Sequence, residues 1–455
     1  MRPALIEQVA KFAERERMFR GSRKVIAAVS GGPDSVAMLL VLLELRERFG
    51  FEVVVVHFDH QLRPNSRRDL DWVRELSARL AVPFFSGEGD VALAAVEQGT
   101  GIEDAARRMR YGFLGFVAEK ERADAIATGH TADDQAETVL MRIIRGSGVR
   151  GIRGMLPVSD VPGGGAQRLV RPLLELRRAD TMVICQAADI APLHDPSNDD
   201  PRYTRNHIRH ETLAALRAVN PDVHDALLGL AASAREVFEG VEKQSFAVQP
   251  VERLPIGAIF DAAKLAGLQS EALTLVVERE AAFFKREPEV NRTRVENLRS
   301  ILTSGAGEVV FGDIVVEVSC GQARLGPPLL EGDSFQGRVL DVPGVTIAGP
   351  WRVTVAGDPL PVVAGAGYAR VDSSAMKGAL RVRPLVNGDR IFYHGIERKV
   401  SDLLVNEKVP AWERLGLIAI ADGERVHAII GASKELGADD SEAALYIKVE
   451  PAASR

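Results

Sequence analysis

The first part of the chain, to about residue 210, alternates short apolar runs with longer segments whose apolar residues recur at helical spacing. The pattern predicts strands at 25–29, 53–57 and 124–128, a weaker strand at 83–85, and helices at 35–48, 67–80, 102–120 and 132–145. Strands alternating with helices of this length are typical of a parallel sheet with helices on both faces. We therefore expect an α/β fold in which ligands bind beyond the carboxyl ends of the strands.

The rest of the chain changes character twice. Residues 211–305 have the periodicity of helices, and short strand-like runs such as "VVFGDIVVEVS" and "WRVTVAG" follow. These shifts predict three domains: an α/β domain at 1–215, a helical middle domain with terminal strands at 216–325, and a small mixed α/β, β-rich domain at 326–455.

Composition narrows the class of protein. The 455 residues are 46% hydrophobic and 26% charged, which is ordinary for a globular protein. Cys185 and Cys320 are far apart, which argues against a disulfide framework or a cysteine metal site. The N-terminus has no apolar signal segment, and the longest apolar run, 36–43, is too short to span a membrane, so we expect a cytoplasmic protein. With a net charge of −6, a nucleic-acid partner would need a local basic patch.

The sequence "SGGPDS", residues 30–35, lies between the first predicted strand and helix. Two glycines let the backbone approach an anion, and a helix N-terminus favours negative charge. Ser30 and Ser35 add hydroxyl groups, whereas Asp34 would repel phosphate unless a cation lay between them. The loop lacks the lysine of a Walker A motif. Its alternative interpretation is a tight turn in which Asp34 or Ser35 caps the helix.

A second cluster of polar residues follows the strand at 124–128. Asp133 and Glu137 share a helix face with Leu140 and Ile144, so two carboxylates begin a stripe that becomes apolar. They suit a magnesium ion or an ammonium group. Asp134 follows a threonine by three residues and resembles part of a capping box.

Histidines also lie at the predicted strand ends. His130 precedes the acidic helix, and we interpret it as a phosphate contact, although a lone histidine is more often structural. His57 ends the second strand and is a weaker candidate, which we expect to shape a nucleotide pocket.

Four stretches together carry a family resemblance: "SGGPDS", "HFDHQLRPNSRRD", "GHTADDQAETVLMRIIRGSGVRGIRGM" and "DPSNDDPRYTRNHIRHETLAAL". The first resembles the pyrophosphate-binding loop of the ATP-pyrophosphatase, or PP-loop, superfamily. The set closely resembles the bacterial tRNA(Ile)-lysidine synthetase family, strongly over the first 220 residues and more weakly near the C-terminus. One departure is His207, where the family usually has arginine.

The resemblance implies a PP-loop domain of the adenine-nucleotide alpha hydrolase type and a C-terminal tRNA-binding domain. It implies that ATP, with Mg²⁺, adenylates the C2 oxygen of the wobble cytidine in the isoleucine tRNA with a CAU anticodon. Free L-lysine then attacks C2 to give lysidine, and AMP and pyrophosphate are released.

Carried over position by position, the resemblance implies several groups of site residues. Those expected to bind ATP are Ala28, Ser30, Gly31, Gly32, Pro33, Asp34, Ser35 and His57. Those expected to be catalytic are Asp34, His130, Asp133 and Glu137, with Asp34 and Asp133 as metal ligands and Asp133 and Glu137 as lysine ligands. Those expected to bind tRNA are Arg107, Arg110, Arg145, Arg202, Tyr203 and Arg205.

Three other functions fit parts of the pattern. Another PP-loop enzyme, such as a tRNA 2-thiolation enzyme, would typically need reactive cysteines. A synthetase that forms amides on a small carboxylate would not need the arginine-rich segments. A catalytically inactive RNA-binding protein would not need the four candidate catalytic residues. The sequence does not distinguish a monomer from a homodimer.

Overall fold

A computed structural model describes residues 2–61, 66–193, 204–329, 335–363, 366–393, 396–423, 425–431, 435–437 and 444–452. The chain divides into two compact units, Met1–Glu239 and Gly240–Arg455. In the parts of the chain that the structure describes, no helix combines the length and the apolar character needed to cross a membrane. The three domains expected from the sequence stay a prediction.

The first unit is built on a six-stranded sheet. Its strands are β1 (Lys24–Ala28), β2 (Glu52–Asp59), β3 (Phe84–Glu88), β4 (Ala125–Thr128), β5 (Val158–Asp160) and β6 (Arg168–Val170). The order is β3-β2-β1-β4-β6-β5, and neighbours pair in parallel except for the antiparallel pair β5 and β6. This architecture confirms the predicted α/β fold.

The helices of this unit connect or flank the strands. They are α1 (Arg2–Arg15), α2 (Pro33–Phe49), α3 (Ser66–Arg79), α4 (Val91–Gln98), α5 (Ile102–Lys120), α6 (Ala132–Ile144), α7 (Val149–Ile152), α8 (Arg178–Ala187), α9 (Thr204–His207) and α10 (Leu213–Val219). A π-helical turn, Ile208–Thr212, joins the last two, and α11 (Val223–Ala247) follows.

Both faces of the central strands are buried. Val25 and Ala27 of β1 lie in a core with residues of α1, α2 and α8, whereas Ile26 packs on the other face with residues of α5. A parallel sheet covered on both faces needs apolar residues at successive positions, which explains the nearly continuous apolar runs of β1 and β2. The polar residues that follow β1, β2 and β4 therefore lie at one edge of the sheet.

The second unit contains three antiparallel or mixed sheets. The helices are α12 (Ala262–Ala266), α13 (Ser270–Phe283), α14 (Arg292–Ser304), α15 (Val400–Asn406) and α16 (Ala411–Arg414). A five-stranded sheet has the order β7-β8-β11-β10-β9, with β7 (Glu252–Leu254), β8 (Gly257–Asp261), β9 (Gly307–Phe311), β10 (Ile314–Ser319) and β11 (Gln322–Gly326).

The two remaining sheets of this unit share a buried apolar core. Their strands are β12 (Arg338–Val339), β13 (Gly344–Ala348), β14 (Trp351–Ala356), β15 (Gly367–Asp372), β16 (Arg381–Pro384), β17 (Arg390–Tyr393), β18 (Ile396–Lys399), β19 (Ile418–Asp422), β20 (Arg425–Ile430), β21 (Glu435–Gly437) and β22 (Ala444–Pro451). One sheet has the order β12-β16-β19-β20-β17-β18 with β21 beside β20, and the other has the order β13-β14-β22-β15.

The expectation that 211–305 is entirely helical is wrong at β7 and β8. Ala258 of β8 pairs with Leu325 of β11, so this short apolar segment joins β7 to a sheet whose remaining three strands come later in the chain. A run of four to eight apolar residues does not distinguish a strand from a buried helix by its periodicity, and here the tertiary pairing decides.

Candidate active site

The loop at residues 30–35 leads directly from β1 into α2. Gly31 has a φ of +93°, a left-handed conformation that favours glycine. Ser35 Oγ accepts a hydrogen bond from the Ser30 amide at 3.1 Å and donates one to the Gly32 carbonyl at 2.9 Å. Gly32 occupies the N-cap position of α2 without a side-chain cap, so neither Asp34 nor Ser35 caps the helix as the turn interpretation required. The loop is instead closed by its own serine at a helix N-terminus.

The end of β4 lies against this loop. A Cβ atom added to Gly129 would lie 2.7 Å from the backbone oxygen of Asp34, so the absence of a side chain permits the close approach. In the next residue, His130, the ring atom Nδ1 forms a hydrogen bond with Thr128 Oγ1 at 2.8 Å. This places His130 near the N-terminus of α2, because the adjacent Gly129 lies against the backbone of Asp34.

His130 is uncharged near neutral pH. Burial, and to a lesser extent the neighbouring Arg171, lowers its pKa to about 3 against the opposing effect of Asp134. The imidazole can therefore offer a hydrogen bond to a phosphate, but not a positive charge. A phosphate contact by His130 stays a prediction.

Two further residues expected to bind ATP, Ala28 and His57, lie at the same sheet edge. Ala28 is the last residue of β1. His57 of β2 is buried, and its Nδ1 lies 2.8 Å from the Val29 carbonyl oxygen just before the loop. Burial lowers the pKa of His57, so its neutral ring supports the backbone there.

Asp34 does not point into solvent. Its carboxylate accepts hydrogen bonds from Arg178 Nε at 3.2 Å and from Thr181 Oγ1 at 2.7 Å, both on α8. Burial raises the pKa of Asp34 above its usual value, while Thr181 and Arg178 act in the opposite direction. The carboxylate is thus held in one orientation at the start of α2.

Asp134 closes the N-terminus of α6, as its spacing predicts. Thr131 and Asp134 form a reciprocal capping box, in which the Thr131 amide donates to Asp134 Oδ2 at 2.8 Å. Asp134 also pairs with Arg178 and Arg205, each at 3.0 Å. Burial disfavours its charge, but the two arginines hold the pKa of Asp134 below its usual value.

Of Asp34, Asp133, Asp134 and Glu137, the most deeply buried is Glu137, with its side chain 1% exposed. Its carboxylate accepts hydrogen bonds from Arg205 Nε at 2.7 Å and from Arg209 Nε at 2.6 Å. The interpretation that Glu137 is an unpaired carboxylate awaiting an external cation is therefore wrong. Ile144, expected to extend its apolar stripe, is 63% exposed.

Asp133 differs from the other three acids. Its Oδ2 accepts a hydrogen bond from the Arg178 backbone amide at 2.8 Å, and its Oδ1 lies 3.7 Å from His224 Nδ1. Burial lowers the pKa of His224, so this neighbour is neutral near pH 7. Among the described residues, no arginine or lysine side chain pairs with Asp133, which leaves this carboxylate available to a cation.

The carboxylates suit a metal shared with phosphate better than a metal held by protein alone. Within the described ranges, no group of three or more histidine, cysteine, aspartate or glutamate side chains could hold a metal ion. Magnesium, however, commonly uses one or two carboxylates together with substrate phosphates. Asp34 and Asp133 fit that donor set in kind, and both accept hydrogen bonds from Arg178, Asp34 from its side chain and Asp133 from its backbone amide.

The arginines expected to contact tRNA have different environments. Arg145 and Arg107 are exposed, and Arg107 lies 4.9 Å over the ring of Tyr111. Arg110 is half-buried and lies over the same ring at 5.3 Å. The side chain of Arg205 pairs with Asp134 and Glu137. Arg202 and Tyr203 lie outside the described residues.

His207, the departure from the family pattern, is exposed on α9. Its Nδ1 lies 3.1 Å from Glu211 Oε1 one turn later. It is thus a surface residue, whereas its neighbours Arg205 and Arg209 reach the acidic cluster.

Two residues of α8 were not singled out by the sequence. Arg178 and Thr181 contact Asp34, yet they lie in an ordinary polar helix start, "RRADT", without a recognisable motif. One feature of the sequence could have indicated them: α8 follows the short parallel strand β6, so its first residues lie at the same edge of the sheet as the loop.

Known proteins match this chain in two ways. A family model described as a PP-loop domain matches residues 1–216. A tRNA(Ile)-lysidine synthase of Geobacter sulfurreducens is 31% identical over 470 aligned residues, which cover 95% of this chain and 93% of that protein. Another, from Dehalococcoides mccartyi, is 39% identical over 235 residues, 51% of this chain, so that match spans only 50% of the relative. The nearly full-length match, together with the PP-loop at the carboxyl edge of a parallel sheet, confirms the family expected from the motifs. This chain belongs to the tRNA(Ile)-lysidine synthase family.

Proposed function

We propose that this protein is an ATP-dependent ligase that joins L-lysine to C2 of the wobble cytidine in the CAU-anticodon isoleucine tRNA. The observation that carries the proposal is the meeting of a PP-loop, a neutral histidine and an available carboxylate at one sheet edge. Family membership supplies the substrate class. The reaction belongs in the cytoplasm, with its tRNA substrate.

The first step is adenylation of the tRNA. The cytidine C2 oxygen attacks the α-phosphorus of ATP, and the bond to pyrophosphate breaks. The amides and serine hydroxyls at the start of α2 bind the departing β- and γ-phosphates. His130 donates a hydrogen bond to the α-phosphate. Asp34 and Asp133 are the residues that would hold a magnesium ion, which would supply charge neutralisation at the phosphates.

The second step needs an uncharged amine. Asp133 orients the ε-ammonium of lysine and takes its proton, because it is the acid without an arginine side-chain partner among the described residues. The amine nitrogen then bonds to C2 while the bond between C2 and the adenylate oxygen breaks and AMP leaves. Glu137 supports this site through its arginines rather than by contact with lysine.

The tRNA must expose its cytosine to reach these groups, so the base leaves its stack. Arg107, Arg110, Arg145 and Arg202 provide positive charge for the anticodon region, and Tyr203 stacks on a base. The C-terminal residues from 326 onward hold the remainder of the tRNA.

The alternative function, tRNA 2-thiolation, is disfavoured by the thiol of the first unit. Cys185 is buried in α8, and burial raises its pKa to about 11, which is opposite to the low pKa of a nucleophilic thiol.

The direct test is incubation with ATP, labelled lysine and bulk bacterial tRNA, followed by nucleoside analysis. We expect labelled lysidine and equimolar AMP and pyrophosphate. Formation of 2-thiolated nucleoside in the presence of a sulfur donor, or no lysine incorporation into tRNA, would overturn the proposal.

A further inference from the structure

We propose that Arg178 is a positioning residue, which fixes the first turn of α2 relative to the first turn of α6 so that Asp34 is correctly placed during adenylation. This inference rests on the proposed function. Arg178 begins α8, and its chemistry is directed at carboxylates from two other helices rather than at solvent.

The contacts of Arg178 join residues that are distant in the chain. Its Nε donates to Asp34 Oδ2 at 3.2 Å, and its Nη2 donates to Asp134 Oδ1 at 3.0 Å. Its backbone amide donates to Asp133 Oδ2 at 2.8 Å. One residue therefore holds the carboxylate of the PP-loop helix and two carboxylates at the head of the acidic helix.

The shape of the guanidinium matters for this role. Its planar fork presents donors in fixed directions, so one side chain can hold two separate carboxylates at a set spacing. A lysine ammonium carries the same charge but is a point donor on a flexible chain. Lysine could therefore preserve the charge at position 178 without preserving the geometry.

Thr181 provides a second hold on Asp34. It lies one turn after Arg178, is fully buried, and donates from Oγ1 to Asp34 Oδ1 at 2.7 Å. The two oxygens of Asp34 are thus each engaged by α8. Two donors fix the direction of the Asp34 carboxylate, whereas a single positive charge nearby would compensate its charge without fixing its direction.

The charges of the site also give Arg178 a specific place. Arg205 and Arg209 both bind Glu137, and of the described residues Arg178 is the one whose guanidinium pairs with Asp34. Without Arg178, the negative charges of Asp34 and Asp134 would repel each other with less compensation, and the Asp34 carboxylate would be free to rotate. A displacement of the order of 1 Å at a reacting group can cost about 100-fold in rate.

The test compares the wild type with Arg178→Gln, Arg178→Lys and Thr181→Val, measuring pyrophosphate release with ATP and tRNA in the absence of lysine. For Arg178→Gln we expect the kcat to fall about 100-fold while the KM values for ATP and tRNA change less than about threefold. Arg178→Lys should recover part of the loss. Thr181→Val should lower the same kcat, and the double variant should lose less than the product of the single losses.

The neighbouring Arg177 supplies a matched control. Its side chain pairs with Asp225 on the surface, so Arg177→Gln should leave kcat and both KM values unchanged. Thermal unfolding of every variant gives its folded fraction, and each kcat is calculated per folded enzyme molecule.

Three results would overturn the inference. One is a wild-type kcat in folded Arg178→Gln, and another is a loss confined to the KM for tRNA, which would make Arg178 a tRNA contact. The third is a loss accounted for wholly by unfolding, with normal kcat in Thr181→Val. If the wild type itself fails to adenylate tRNA, the proposed function fails and this inference falls with it.

Discussion

At the scale of single residues, the acidic side chains of the site are distinguished by their partners. Glu137 is buried between Arg205 and Arg209, and Glu137→Gln would leave two guanidiniums without their carboxylate. We expect the free energy of unfolding to fall by about 3 kcal/mol, near the lower end for broken buried pairs because the arginines are partly exposed. Denaturant unfolding measures this. Glu211→Gln, at an exposed pair, should change it by less than about 0.5 kcal/mol. Unchanged stability with a raised KM for lysine would restore Glu137 as a lysine ligand.

His130 gives the molecule a pH dependence. Its pKa is about 3 in the folded chain, whereas an unfolded histidine has a pKa of about 6.5. The unfolded state therefore binds a proton first as the pH falls. The contribution of His130 to stability is complete above about pH 6.5 and is lost progressively between there and about pH 3. Between pH 7.5 and pH 5, the free energy of unfolding should decrease less in His130→Gln than in the wild type. The exposed control His207→Gln should retain the wild-type decrease.

At the scale of elements, the site depends on how closely β4 approaches α2. A Cβ at position 129 would lie 2.7 Å from the Asp34 oxygen and 2.9 Å from the Ser35 nitrogen, both backbone atoms that cannot rotate away. We expect Gly129→Ala to cost about 1–3 kcal/mol of stability and to weaken ATP binding by shifting the loop.

Calorimetry with ATP and thermal unfolding test the substitution. Gly112→Ala is the control, since it lies within α5 with open space around the new methyl group. It should raise stability by up to about 1 kcal/mol and leave ATP binding unchanged. Wild-type ATP affinity in Gly129→Ala would show that the loop tolerates the displacement.

At the scale of the whole molecule, the expected ATP-binding residues all lie within the first unit, Met1–Glu239. Deletion of residues 330–455 should therefore leave the affinity for ATP unchanged. It should weaken tRNA binding and lower its salt dependence, because each lost phosphate contact removes about 0.9 from the slope of log affinity against log salt. Binding titrations at several salt concentrations measure both. An unaltered tRNA affinity and slope would assign tRNA holding to the remaining chain.

Local patterns determined much of the first unit. β1, β2 and β4 and helices α2, α3, α5 and α6 lie within a few residues of their predicted positions, because apolar periodicity is a property of the segment itself. The loop at residues 30–35 was recognisable for the same reason: its glycines, serines and helix start are contiguous. The capping box at Asp134 likewise needs only residues three apart. The family followed from such contiguous motifs.

The partners of the charged residues were decided by the tertiary structure alone. Arg178 and Asp34 are separated by 144 positions, and Arg205 and Glu137 by 68. Helical periodicity placed Asp133 and Glu137 on one face, but it carried no information on which cations would meet them. The fold made Glu137 a buried member of an arginine cluster, and among the described residues it left Asp133 without an arginine or lysine side chain as its partner. The physical reason is that ion pairing depends on distance and burial in space, which local sequence does not encode when the partners lie on different elements.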